Sequence, residues 1–303
     1  MSYFMQDRLK IMIGLFVILF FYNAQTLYAD RGSIPFHPTV KIFETKQRAL
    51  IAWNGTEEIL LVSTDMNASA KTQVLQIMPF PSEPVVKNGD VEIFRKVKKF
   101  INQKLQERSD QSTDDEVQET RKGLPAAEVT FHRLVGTHDI MVIHVLDVES
   151  FTNWAEKYFT AYGIKNPKVP EEMKAVVGEY LKDGFLWFVF DVVSLDEDTV
   201  TTEAIQYKFN TKSLFYPLRI TRTEVGETSI ELLVLTQQQL LNFSGISIGE
   251  IKLPYKPIVM SSDEVRGLNE EMDDLLGHED KVKLRIWNIE GELSGFKKDL
   301  LVK

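Results

Sequence analysis

The stretch Q-R-A-L-I-A-W-N-G-T-E-E-I-L-L-V-S-T-D, Gln47 to Asp65, decides the fold. Two runs rich in Leu, Ile and Val flank Asn54-Gly55, the dipeptide that most readily supplies the positive φ angles of a tight type I′ hairpin turn. After a short polar link comes V-L-Q-I-M-P-F-P-S-E-P, Val74 to Pro84. It holds a third run, Gln73 to Met78, which Pro79, Pro81 and Pro84 stop because proline cannot donate to a ladder. The expectation is a three-stranded meander with Trp53 packed at its turn. The stretch contains no recognisable chemistry.

Downstream, Asn88-Gly89-Asp90 caps a helix beginning near Val91, with Ile93, Phe94, Val97, Ile101 and Leu105 as its buried stripe. Arg95, Lys96, Lys98 and Lys99 fill much of its other surface. They read as a solvated face in preference to a docking face for an anionic envelope polymer. From Gln106 the apolar periodicity stops, and residues 106–126 read as a charged flexible insert too polar to offset its ordering entropy.

Two strands follow, Glu128–Leu134 and Asp139–Val148, joined around Gly136. A helix then carries the aromatic stripe Phe151, Trp154, Ala155, Tyr158, Phe159 and Tyr162. A second helix starts behind Pro170 and ends at Gly184. The run F-L-W-F-V-F-D-V-V, Phe185 to Val193, is apolar on both alternating faces, so helices must cover whichever face other strands do not. Strands are expected at Ala204–Phe209, Tyr216–Thr223 and Ser229–Leu235. Ser261 and Glu264 form a capping box for a long helix closed by Gly277, and Lys281–Ile289 alternates as a last strand. The pattern is α+β: mainly antiparallel sheets with about four long amphipathic helices packed on them. Residues 30–105 and 127–303 are expected to pack as one unit, because three strands and a helix make a small core alone.

The first residues place the chain in the cell. Arg8 and Lys10 precede an apolar run from Ile11 to Tyr22, then polar residues, then Ala29 before Asp30. That layout predicts a secretory signal peptide over residues 1–29. The same run, if left uncleaved, is a membrane anchor. No later segment is long and apolar enough to span a bilayer. The 303-residue chain has a formal net charge of −9 and no cysteine. Loss of the leader moves the charge to about −10. Such acidity argues against nucleic-acid binding, and the missing cysteine excludes disulfides and thiol catalysis. The expected location is extracytoplasmic, periplasmic or secreted.

With these pieces in order, the chain resembles a bacterial and archaeal family of exported proteins known as domain of unknown function 2330. The resemblance rests on D-R-G-S-I-P (Asp30–Pro35), Q-R-A-L-I-A-W-N-G, I-M-P-F-P-S-E-P, V-G-T-H-D-I, F-L-W-F-V-F-D and F-Y-P-L-R-I (Phe215–Ile220). It implies an extracytoplasmic protein and brings no catalytic residue, cofactor or partner with it.

Candidate chemistry is sparse. Gly245-Ile246-Ser247-Ile248-Gly249 matches G-x-S-x-G, with Asp263 and His278 following in the order a hydrolase needs. The elbow requires a strand before and a helix after; here a Gln/Leu-rich helical segment precedes and a two-proline stretch, Ile251 to Pro257, follows. His132, His138 and His144 are spaced six apart. In one strand that separates neighbours by roughly 20 Å, too far for a shared ion. If Gly136 folds the chain back, His132 and His138, with Asp139, become ligand-facing candidates. Asp196-Glu197-Asp198 lacks the glycine and distal glutamate of a calcium loop and reads as a solvated turn. No cofactor motif is present. The expectation is a non-enzymatic domain that binds an envelope or extracellular partner, the alternative being a hydrolase using Ser247 or a histidine–carboxylate pair.

Overall fold

In the computed structural model, which describes residues 32–37, 39–111, 139–224, 227–240, 243–244 and 251–303, the Gln47–Asp65 stretch forms the hairpin expected of two apolar runs flanking Asn54-Gly55. Strand β2 (Ile42–Trp53) turns back into β3 (Glu57–Ala68), with Ala52 opposite Ile59 and Leu50 opposite Leu61. The turn differs from the type I′ expectation. Gly55 has φ +106°, and no other residue of the turn enters the positive-φ region. A type I′ turn needs two such residues. Asn54 instead stands before the turn and accepts the Thr56 and Glu57 N–H groups on its side-chain oxygen, each at 2.9 Å. Trp53 is buried there, its indole N–H reaching the Thr211 carbonyl.

The three-stranded meander does not form. Strand β4 (Thr72–Phe80) leaves β3 and pairs with β1 (Gly32–Pro35) on one side and β7 (Trp187–Leu195) on the other. Nor does Pro79 end it: Pro79 lies opposite Phe188, and β1 reaches only as far as Ile77. A missing N–H at Pro79 therefore breaks no ladder bond to β1. The vacated edge of β3 is taken by β9 (Ile205–Asn210) and β8 (Val200–Thr201).

Three sheets result. Nine strands form the largest. Along it run β13 (Ile251–Lys252), β15 (Val282–Glu292), β11 (Glu227–Thr236), β2, β3, β9 and β5 (Val85–Asn88), with β14 (Ile258–Met260) beside β15 and β8 beside β3. The β2–β11 pair is parallel, placing Gln47 opposite Ile230. The second sheet is β1-β4-β7 with β6 (Asp139–His144), and the third joins β10 (Leu214–Tyr216), β16 (Leu300–Val302) and β12 (Phe243–Ser244).

Helices close the outer faces. Helix α1 (Glu92–Gln111) starts on the Asp90 carboxylate, which accepts the Glu92 N–H, and buries the expected Ile93, Phe94, Val97 and Ile101 on the large sheet. It runs to Gln111, into the segment read as a flexible insert from residue 106. Pairs of Glu107 with Gln103 and Lys104 support these turns where the apolar stripe has ended. Residues 112–126 of that insert, the predicted strand at 128–134, and residues 1–29 all lie outside the described residues. Helices α2 (Val148–Ala161) and α3 (Glu171–Lys182) cover the outer face of the second sheet with Phe151, Phe159, Met173, Val177 and Tyr180.

The long helix expected from Ser261 to Gly277 is two short ones, α4 (Ser262–Leu268) and α5 (Glu270–Leu275). Asn269 separates them in extended conformation and caps the second by accepting the Met272 N–H. The expected strand Tyr216–Thr223 is also corrected. β10 ends at Tyr216, and a 3-10 turn over Arg219–Thr223 replaces the rest. Pro217 ends the strand because it has no N–H for it.

The layers stack as helix, sheet, sheet, helix. Ala49, Ile51, Leu60, Val62, Leu232, Val234 and Trp287 face inward against Phe80, Val189 and Phe215 of the smaller sheets. The alternate residues Leu50, Leu61, Leu233 and Leu284 face α1, α4 and α5. β2, β3 and β11 are therefore apolar on both faces. The architecture is α+β with sheet predominant. Among the described residues no helix is long and apolar enough to cross a membrane.

Candidate functional site

Of the three ligand-facing candidates, His132 and His138 lie outside the described residues, and Asp139 opens β6. Two tyrosines of α2 converge on it. Tyr158 and Tyr162 donate their hydroxyls to the same Asp139 carboxylate oxygen, at 2.9 and 2.8 Å. Burial, then the hydroxyl contact to Tyr162 and the bond to Asp139, push the Tyr158 phenol well above its ordinary value. The two residues were read from sequence as part of a buried stripe. In the fold they tie the helix to the strand edge, and Tyr162 is solvent-exposed. His144 stacks on Trp187 with centroids 4.6 Å apart and takes no part in that cluster.

The hydrolase alternative lacks its supporting elements. Ser247 and its flanking glycines lie outside the described residues. Of the segment before them, the described residues 237–240 are not helical and 243–244 form the short strand β12. After them comes β13, a strand, where the elbow requires a helix. His278 does meet a carboxylate, but it is Asp273, at 2.8 Å. Asp263 is exposed and pairs with Arg266.

That Asp273 forms a centre the sequence reading passed over. Asp273, Asp274 and His278 bring potential ligand atoms within 4.8 Å of one another. Asp273 is fully buried and receives the Ser262 hydroxyl at 2.9 Å and the Arg266 guanidinium at 2.9 Å besides the imidazole. Burial pushes its carboxyl up, and the His278, Ser262 and Arg266 contacts outweigh that and hold it below the usual range. The Arg266 guanidinium and the imidazole share one Asp273 oxygen, Oδ2, at 2.9 and 2.8 Å. The Ser262 hydroxyl donates to the carboxylate, while the imidazole meets the same carboxylate through Nδ1. This arrangement joins α4 to α5 and to the start of β15. Its signal in the sequence was Asn269 as a second cap, followed by D-D-x-x-x-H.

Glu44, Glu58, Asp191 and Asp299 are buried carboxyls too, and two of them, Asp299 and Glu58, stand in contrast. Asp299 accepts the Tyr180 hydroxyl at 2.6 Å and the Leu218 and Arg219 N–H groups at 3.0 and 2.9 Å. The Arg219 guanidinium lies 3.5 Å from its other oxygen, over the Tyr180 ring, and reaches Asp183 on α3. Glu58 accepts one bond, from the Phe215 N–H at 2.7 Å, and its Oε1 has no hydrogen-bond partner. Burial pushes Glu58 well above the carboxylate range, against the Phe215 bond, and also raises Asp299 despite its donors.

Surface charge is largely self-neutralised along α1. Arg95 pairs with Glu92, Lys96 with Asp90, Lys98 with Glu231 and Lys104 with Glu264. The Asp196–Asp198 turn closes on itself through the Asp198 N–H to Asp196.

One surface stands apart. At the β15 edge of the large sheet, Lys252 lies opposite Asn288 and Ile258 opposite Leu284, so Leu253 to Pro257 leave the ladder as an excursion facing Arg285 to Trp287. Every residue from Lys252 to Pro257 is exposed. Leu253 is 61%, Tyr255 37% and Val259 53% accessible, half of the exposed large hydrophobic side chains among the described residues. Pro254 and Pro257 fix φ and present no N–H, which keeps the excursion rigid and unable to pair edge-to-edge.

The described residues thus make a layered α+β fold with one exposed apolar edge at Lys252–Val259. The chain belongs to the family described as "Uncharacterized protein conserved in bacteria (DUF2330)", which matches residues 29–274. No curated protein sequence matches it. Among solved structures it is similar to the crystal structure of baculovirus P35, at 10% identity over 89% of this chain and 99% of that one, with a TM-score of 0.40. It is also similar to a mutated baculovirus P35 after caspase cleavage, at 12% identity over 86% and 93% of the two chains, with a TM-score of 0.35.

Proposed function

We propose that this chain is an exported, non-enzymatic binding domain acting at the cell envelope or outside the cell. Residues 1–29 serve as its secretory signal. The observation that carries the binding reading is the Lys252–Val259 edge, where apolar side chains are held out to solvent by a proline-stiffened excursion on a rigid sheet. Isolated exposed apolar residues are ordinary, but a cluster rimmed by polar groups marks an interaction surface. Pre-organised segments lose little conformational freedom on binding, which favours them as contact elements.

Export and binding are tested separately. Terminal sequencing of protein made in its own host is expected to give Asp30 as the first residue; an intact Met1 in the membrane fraction replaces the signal with an anchor. Assays of the purified protein against ester and peptide panels, beside Ser247→Ala, are expected to give no turnover. Activity abolished by that substitution ends the binding-domain reading.

A further inference from the structure

We propose that the end of α5 holds a divalent transition-metal ion such as Zn²⁺, with His278 Nε2 and Asp274 Oδ1 as its protein ligands and Asp273 positioning the imidazole. The site shares no residue with the Lys252–Val259 edge and does not rest on the binding reading. Its construction is local. Gly277 and His278 both take positive φ, +73° and +57°. Glycine does so freely, and histidine is among the few other residues enriched there. The Gly277 N–H donates to the Asp274 carbonyl and the His278 N–H to the Asp273 carbonyl, closing the backbone over the last turn of the helix. The imidazole returns beside two consecutive carboxylates.

Those carboxylates have different parts. Asp273 is fully buried, and its Oδ2 lies 2.8 Å from the ring's Nδ1. An ionised carboxylate only accepts, so Nδ1 carries the proton, and in the neutral ring Nε2 keeps its lone pair. A carboxylate in that place fixes both the orientation and the tautomer of a metal-binding histidine. Ser262 and Arg266 hold Asp273 in turn, at 2.9 Å each. On the other side of the ring, Nε2 lies 3.6 Å from Asp274 Oδ1, with the imidazole 54% and Asp274 62% exposed. Two ligands each about 2.1 Å from a tetrahedral ion stand about 3.4 Å apart. One ion therefore fits between them with little movement, open to water at its remaining positions. Around the pair, Asp263, Asp273, Asp274, Glu279 and Asp280 outnumber Arg266 and Lys281, an excess of negative charge that a cation offsets. An imidazole nitrogen beside a carboxylate oxygen selects zinc, copper or nickel over calcium and magnesium, which take oxygen ligands.

The probe is Zn²⁺ alone, titrated into the chelator-treated full chain. Calorimetry measures affinity, and the ring-nitrogen resonances of the histidines report which imidazole is bound. The expected result is saturable binding with a change at His278 Nε2, and no response to Ca²⁺ at the same concentrations. His278→Asn, which keeps a residue at ease in positive φ, should abolish the binding. Asp274→Asn, at an exposed position, should weaken it about tenfold or more. Asp273→Asn should weaken it about 10–100-fold and also shift the His278 tautomer, a signature that loss of stability alone does not produce. Asp274→Asn leaves the buried centre intact and decides the matter if the Asp273 variant does not fold. Zinc binding that survives His278→Asn, or that appears on His132 or His138 instead, overturns the proposal. So does undiminished affinity in Asp274→Asn, a silent His278, or an equal response to Ca²⁺.

Discussion

Asp299 and Glu58 are both carboxyls removed from water, 5% and 0% accessible, yet the fold treats them in opposite ways. Asp299 sits where α3, the Arg219–Thr223 turn and the C-terminal segment meet, and has a phenol, two backbone N–H groups and a guanidinium around it. Glu58 sits beside the β2–β3 turn, takes a single N–H from Phe215, and leaves one oxygen without a bond. Burying an ionised carboxylate is tolerable only when it is paired and hydrogen-bonded; otherwise the group takes up a proton. Asp299 is thus a hydrogen-bonded, ion-paired joint between elements even though burial raises its pKa, and Glu58 an acid that burial pushes toward its protonated form with little to oppose it. Only the first should fail badly when one partner is removed.

The largest expected effect follows from Arg219→Met. It strips the guanidinium from a buried carboxylate and should cost about 3–5 kcal/mol in urea unfolding. A loss below about 1 kcal/mol would show that Asp299 is not charged in the folded state. Tyr180→Phe comes next, at about 1–3 kcal/mol, because Asp299 loses a donor and the Ile220 N–H loses the hydroxyl oxygen it donates to.

Glu58 is probed by pH. Its folded pKa lies above the unfolded one, so its contribution is complete below the unfolded carboxyl value and is lost as pH rises toward the folded value. Stability should therefore fall with rising pH above about 4.3. Glu58→Gln should flatten that part of the slope, as seen in urea midpoints across the acid-to-neutral range; an unchanged slope would assign it to other groups. Glu58→Leu should change stability least, within about 1 kcal/mol, since relief of the unbonded oxygen offsets the stranded Phe215 N–H. A loss of several kcal/mol there would make Glu58 a structural acceptor comparable to Asp299.

The contrast also marks what could be read from the chain. Gln47–Asp65 announced its hairpin because two apolar runs on either side of Asn54-Gly55 are local signals. The departure of β4 was hidden: V-L-Q-I-M states that a strand forms but not which strand it pairs with. The parallel β2–β11 pairing was hidden for the same reason. Pro217 is a local signal, yet the turn after it is held by Asp299, far along the chain, which accepts the Leu218 and Arg219 N–H groups. Asn269 was legible and missed, its capping role masked by the apolar spacing that continues through it. At the candidate surfaces, Asp139 was singled out for its histidine neighbours, whereas its bonds are to Tyr158 and Tyr162. The Leu253–Pro257 excursion was noted only for its prolines, since exposure belongs to the fold and not to residue type.

The parallel seam between β2 and β11 bears on how the molecule is made. As the chain emerges, β2 and β3 can close their local hairpin at once, but both strands are apolar on two faces. Gln47 then waits for Ile230, and Leu60 for Tyr207, before either edge is sealed. Contacts so remote in sequence slow folding and leave sticky strand edges bare in the meantime. Under the export proposed above, that delay would keep the chain threadable, since its central seam cannot close until Ile230 has emerged.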